Sequence, residues 1–361
     1  MAYTTIDDPS AYFQTALFTG NAGTNAITNT GNSDLQPDWV WFKCRSATEH
    51  HGLFDSVRGV TKAVYSNLDI AEDNLADSLA SFNSDGFTMG ADTGSSGAFN
   101  GNSKTMVAWQ WKAGTSFTND ASSTGIGSID SAGSVSTAAG FSIISYTGTG
   151  SNGTVAHGLG VVPSMIIIKN REISQNWLVY HQALENTSAL KLNSTKEKET
   201  TVYYWNNTSP TSSTFSLGAS SEANTDAEGN IAYCFAEKQG YSKFGSYTGN
   251  GNADGTFIYT GFKPAFILRK RTDSTGSWLM QDNKRPGSNR AVANSLPTDN
   301  NVLYSNTTDA ELFNNELDIL SNGFKLRATD TFGNGSGATY IFMCFAENPF
   351  TTSTGIPATA R

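Results

Sequence analysis

Apolar residues fall along this chain in short runs, mostly β-branched or aromatic, separated by clusters of Gly, Asn, Asp and Ser. That is the pattern of strands and turns. In Trp39–Cys44, period two puts Trp39, Trp41 and Lys43 on one face and Val40, Phe42 and Cys44 on the other. Both faces are then partly buried, as for an inner strand of a two-layer fold. One helical signal competes. From Leu68 to Phe82, apolar residues Ile70, Ala71, Leu75, Leu79 and Phe82 fall at spacings of three to five, and Thr308 to Leu320 is similar. A short connecting helix is a candidate in both places.

The runs also repeat. A Thr-Gly turn recurs as Phe18-Thr-Gly-Asn21, Tyr146-Thr-Gly-Thr-Gly150 and Tyr247-Thr-Gly-Asn-Gly251. Each is followed by a proline and an apolar run starting at Pro37, Pro163 and Pro264, with Lys43, Lys169 and Lys270 six positions after the proline. An aromatic or apolar stretch follows: Leu53-Phe54, Trp177-Leu-Val-Tyr180 and Trp278-Leu-Met280. Then come Gly86-Phe-Thr-Met89, Thr214-Phe-Ser-Leu217 and Gly323-Phe-Lys-Leu326, and a closing run at Val107, Ile231 and Tyr340. Five anchors in one order, three times, predict three copies of one unit. The expected division is residues 1–112, a Gly/Ser/Thr-rich linker at 113–139, 140–240, and 241–361 including a C-terminal tail. The linker reads as flexible or loosely docked, and the second and third copies as a rigid pair. The expected fold is all-β: three tandem β-sandwich domains of jelly-roll or lectin-like type.

Composition narrows the function. The 361 residues hold 23 Lys and Arg against 32 Asp and Glu, a formal charge of −9, with no basic tract. Phosphate neutralisation then has no source, which argues against a nucleic-acid partner. No stretch of 18 apolar residues occurs, which argues against membrane insertion, and the first residues carry neither the basic nor the apolar region of a signal peptide. Cys44, Cys234 and Cys344 each lie in an apolar run, and with no C-x-x-C pair they read as small buried hydrophobes.

Candidate chemistry is sparse. Gly148-Thr-Gly-Ser-Asn-Gly153 matches the dinucleotide pattern G-x-G-x-x-G, yet Thr154–Gly160 does not read as the helix whose N-terminus would hold a pyrophosphate. A glycine-rich hairpin loop accounts for it. His50, His51, His157 and His181 lack metal-ligand spacing and do not recur, so they read as surface or structural. Glu237 and Glu347 end closing runs where the first copy has Ala113, and read as solvated strand-end charges rather than a hydrolytic pair. Turns such as Asn250–Asp254 and Asn83–Asp85 lack the spacing of a calcium loop. No catalytic residue, metal or cofactor is predicted. The three lysines read as architectural, their stems covering a sandwich edge and their ammonium groups reaching water. That leaves aromatics. Tyr203, Tyr204, Trp205 and Trp278 are candidate contacts for a sugar ring or a protein interface, because three consecutive aromatics on one strand cannot all face inward.

The stretches Tyr3–Ser10, Pro37–Lys43, Leu53–Lys62, Ser81–Phe87, Val107–Gly114 and Phe345–Phe350 resemble an uncharacterised domain that recurs in virion proteins of marine tailed phages. The likeness is specific over the first copy and the C-terminal end and diffuse between them. It implies a non-enzymatic virion surface protein, assembled in the host cytoplasm, in the tail or fibre apparatus and contributing to host attachment. Its implied partners are other virion proteins, further copies of itself and, as an option, a host surface glycan. A capsid decoration protein is the alternative, and a glycan depolymerase a third.

Overall fold

The computed structural model describes residues 2–285, 301–313 and 317–358. Antiparallel strands dominate; the helices among the described residues are three of four residues and one 3-10 turn. In the first repeat a six-stranded sheet runs, edge to edge, Phe13–Thr19, Thr105–Trp111, Trp39–Cys44, Gly52–Asp55, Lys62–Tyr65 and Asp73–Asn74. The third repeat has the same order: Ser242–Thr248, Thr339–Pro349, Phe262–Arg271, Trp278–Asp282, Asn301–Tyr304 and Leu312–Phe313. The second follows it again with Phe141–Thr147, Gly229–Phe235, Met165–Asn170, Leu178–His181, Ser188–Lys191 and Glu199–Thr200.

Strand register aligns the repeats residue by residue. Trp39 lies opposite Trp111 and Asp55, Met165 opposite Phe235 and His181, and Phe266 opposite Phe345 and Asp282. Each large sheet has two packed faces, as the double burial of Trp39–Cys44 requires. The outer face meets a small sheet: Val40 and Phe42 join Phe87 and Met89, Ile166 and Ile168 join Phe215 and Leu217, and Ile267 joins Phe324 and Leu326. The inner faces meet one another. Trp39, Trp41, Trp111, Phe141, Ile167, Tyr233, Phe235, Phe266, Leu268 and Phe345 belong to one core drawn from all three repeats. Trp39 stacks on Tyr233 with centroids 4.4 Å apart, and Phe13 on Phe345 at 5.3 Å. The second and third repeats are therefore not a pair set apart; the first shares their core.

Two expected features differ. The segment 113–139 is not a linker. Thr115–Asn119 and Ser131–Ser136 form a hairpin that pairs with Phe141–Thr147 and widens the second sheet to eight strands. Its small residues serve close approach: a Cβ on Gly133 would stand 1.8 Å from the Ile143 carbonyl oxygen. Nor does Leu68 to Phe82 form a helix. It holds a turn, the strand Asp73–Asn74 and the strand Leu79–Asn83, and its cognate holds Leu312–Phe313 and Leu317–Leu320, with residues 314–316 outside the described set. In Leu68–Phe82, apolar side chains from two short strands and the turn between them mimic a helical period.

The recurring Thr-Gly turn has a steric cause. A Cβ on Gly20, Gly148 or Gly249 would stand 2.2–2.4 Å from the backbone oxygen of Gly101, Thr225 or Gly335. Beside each glycine, a buried asparagine locks the loop. Asn100, Asn224 and Asn334 each donate from Nδ2 to two loop carbonyls, such as Gly23 and Gly90 for Asn100, and accept at Oδ1 from Asn21, Thr149 or Asn250 N–H.

Candidate functional site

The chemically dense places are the seams between repeats, and they are cyclic. Lys43 Nζ donates to the Thr308 carbonyl of the third repeat at 3.0 Å, Lys169 to Asp69 of the first at 3.2 Å, and Lys270 to Thr195 of the second at 3.3 Å. Each lysine is buried, so its ammonium does not reach water as expected but caps a neighbour's backbone, and burial lowers its pKa to about 8. A second ring of contacts follows the same direction. Cognate residues His51, Trp177 and Trp278 bond through a ring nitrogen to the carbonyls of Tyr304, Tyr65 and Lys191 at 2.9, 2.8 and 3.0 Å. His51 accepts at Nδ1 from the Trp41 indole, so its proton sits on Nε2, and burial holds its pKa well below the usual value.

Buried charge fills two of the three seams. Asp55 Oδ2 accepts from Arg58 Nε at 2.6 Å and from Tyr233 of the second repeat at 2.7 Å. Glu72 then bridges Arg58 at 3.1 Å and Arg171 of the second repeat at 2.9 Å. Burial pushes the Glu72 carboxyl up, but the bonds and charges of Arg171 and Arg58 outweigh it and leave it below the usual carboxylate range. Asp282, Arg285 and Glu311 repeat the arrangement, with Trp109 Nε1 on Asp282 at 3.0 Å and Arg45 on Glu311 at 2.8 Å. The third seam places His181 and Leu184 where the others have Asp and Arg. His181 Nε2 meets the Phe342 carbonyl at 3.2 Å, Nδ1 accepts from Ala183 N–H, and burial lowers its pKa to about 4.

These constellations look catalytic in residue type, yet Asp55, Arg58 and His51 are buried and bonded on every side shown, so no reacting atom is presented to a substrate. Among the described residues no group of three His, Cys, Asp or Glu is placed to hold a metal ion. Open space lies instead in shallow clefts, one within the second repeat beside Phe117 and Ser213 and others at the seams. One of about 220 Å³ runs between the edge strand Phe13–Thr19 and the third repeat, lined by Thr15, Ala265, Asn283, Lys284, Ala346 and Glu347. Another of about 250 Å³ lies beside Ser242 and Lys243, walled by Tyr3, Tyr259, Glu237 and Gln239. The chain belongs to a family of unknown function, DUF7483. That family's model matches residues 8–349, spanning all three repeats, and no curated protein matches the sequence.

In this DUF7483 member the aromatic candidates separate. Val202–Trp205 is a helical turn, capped by the Thr201 hydroxyl, rather than a strand. A period of 3.6 turns Tyr204 and Trp205 inward together, onto Glu199 at 2.7 Å and the Ser188 carbonyl at 3.0 Å. Tyr203 alone faces solvent, 62% exposed. Trp278 is 1% exposed and is a seam residue, not a surface contact. His157 is buried, and Cys44, Cys234 and Cys344 are buried free thiols. Glu237 and Glu347 pair with Lys243 and Lys263 at 2.6 Å near the surface. The turn asparagines bond their own loops, and Asp254 pairs with Lys325. After Gly148–Gly153 comes the strand Gly153–Ala156. Asn100, Asn224 and Asn334 carry no motif of their own; each stands six residues before a closing-run residue, Met106, Asn230 or Tyr340, and that spacing is their one mark in the sequence.

Proposed function

We propose that this chain is a non-enzymatic structural protein of a tailed-phage virion surface, part of the tail or fibre apparatus, that contributes to host attachment. On this reading each repeat is a β-sandwich, and three of them are fused in tandem. The observation that carries the reading is the closure of the two Asp-Arg-Glu clusters by their own seam partners, which makes those clusters architecture. The resemblance of the opening and closing stretches to a recurrent virion domain supports the rest. Contact falls to exposed aromatics: Tyr203, and Phe257 and Tyr259 at 44% and 54% exposure on the third small sheet. Rings of this kind suit stacking on a host glycan.

The cyclic arrangement also favours a second reading, a capsid decoration protein seated on a threefold position of a shell. Locating the chain in images of whole particles separates the two. Density at the tail tip or fibres supports attachment, whereas copies spread over the shell support decoration. Release of reducing ends from host envelope polysaccharide by the pure protein would overturn the non-enzymatic claim.

A further inference from the structure

The first strand of each large sheet has an outer edge, and the chain treats its three cognate edges differently. In the second repeat the edge Phe141–Thr147 is filled by Ser131–Ser136 in antiparallel register. In the third repeat the edge is plugged by side chains: Gln182 Nε2 donates to the Phe244 carbonyl at 2.7 Å, and Phe244 N–H donates to Glu237 at 3.3 Å. In the first repeat the residue cognate to Phe244 is Thr15, and among the described residues neither device is present. The cyclic counterparts of Gln182 and Glu237 are Asn283 and Glu347. Asn283 is one methylene shorter and its Oδ1 is buried without a partner, and Glu347, though paired with Lys263 as Glu237 is with Lys243, does not accept from Thr15 N–H as Glu237 does from Phe244.

The ladder itself leaves Thr15 open. Lys112 N–H donates to Tyr12 and Gly20 N–H to Lys104 across the pairing with Thr105–Trp111. Alternation of an antiparallel ladder then turns Gln14, Ala16 and Phe18 toward that strand and the N–H and C=O of Phe13, Thr15 and Leu17 away from it. The Thr15 hydroxyl, on a residue 7% exposed, also has no hydrogen-bond partner. Two adjoining clefts, both lined by Thr15, Thr30 and Lys284, run along this edge.

We infer that Phe13–Thr19 is a docking site for one extended segment of a partner polypeptide, added as an antiparallel strand. The occupant's chemistry is read from the chain's own hairpin on the cognate edge: a Ser-, Ala- and Gly-rich strand, small because that edge brings carbonyl oxygens against the incoming backbone. The site stands apart from the virion reading, since it rests on the three edges alone.

The probe is a fluorescent peptide with the sequence of residues 128–138, titrated against the whole protein by anisotropy. Binding is expected, with slowed amide exchange at Thr15 and Leu17. Asn283→Gln, which supplies the plug of the third repeat, is expected to weaken binding roughly tenfold. Thr15→Pro, which removes an outward N–H that an edge strand tolerates losing, is expected to do the same. No binding at the highest soluble peptide concentration, or binding that neither variant weakens, overturns the site. Self-association of the peptide-free protein that Asn283→Gln abolishes overturns the assignment to a different polypeptide and gives the edge to a second copy.

Discussion

Two seams of this molecule hold a buried Asp-Arg-Glu-Arg chain and the third holds His181 and Leu184 at the cognate places, yet all three close on the same backbone contacts. At the charged seams Glu72 and Glu311 N–H donate to Arg171 and Arg45 carbonyls; at the neutral seam Lys198 N–H donates to Thr272 at 3.1 Å. The donor that meets Asp55 is Tyr233 and the donor that meets Asp282 is Trp109, whereas His181 faces the position of Met343, which has nothing to donate. The difference teaches that a seam of this fold can close without the ions. Their Coulomb gain is offset by the desolvation of the same groups, and what they add is discrimination among three otherwise similar surfaces.

The largest effect comes from breaking one charged seam by half. Asp55→Ala leaves buried Arg58 Nε and the Tyr233 hydroxyl without their shared acceptor and is expected to lower unfolding stability by about 3–5 kcal/mol in denaturant titrations, against about 1–3 kcal/mol for His181→Ala. Equal losses would remove the distinction between the seams. Next, moving the neutral seam's residues into the first (Asp55→His, Arg58→Leu, Glu72→Lys, Arg171→Thr and Tyr233→Met together) is expected to cost no more than about 2 kcal/mol. A loss as great as that of Asp55→Ala alone would show the ions to be needed.

Proton linkage sharpens the contrast. The His181 pKa is lowered to about 4 from 6.5 by burial, so the unfolded chain binds the proton first as pH falls. Its share of stability is full above pH 6.5 and is lost toward pH 4, about 1–3 kcal/mol, and His181→Met should remove that share of the slope in unfolding curves across the window. The lysines act at the alkaline end. With folded pKa values of about 8 against 10.5, the unfolded state holds more protons between those limits, so stability attributable to Lys43, Lys169 and Lys270 rises with pH there. Lys169→Met should make the slope between pH 8 and 9.5 less positive than that of the parent chain, in which the buried thiols Cys234 and Cys344, their pKa raised by burial, pull the other way. The smallest expected change is at the surface: Tyr203→Ala should leave the midpoint within about 0.5 kcal/mol while weakening any glycan binding.

The repeats were legible because their anchors are the buried strands, whose alternation survives loop divergence. The lysines were visible by position, but their partners were not, since Thr308, Asp69 and Thr195 lie in neighbouring repeats and a single unit holds no trace of the seam. Segment 113–139 misled because Ser, Ala and Gly mark both flexible links and strands pressed closely against an edge. Tyr204 and Trp205 misled through the period: on a strand they would diverge, and on a helical turn they share a face.

A symmetric trimer of separate chains repeats every substitution at three places, so an edge that must be filled at one is filled at all. Here the cyclic seams lie within one chain, and their closure does not depend on concentration. Each repeat has therefore been able to treat its edge on its own: a hairpin at Phe141–Thr147, two plugging side chains at Phe244, and, among the described residues, neither at Thr15. Among the described residues, fusion leaves one edge unfilled where a ring of separate chains would leave three, and so the strand proposed to dock there is limited to one per chain.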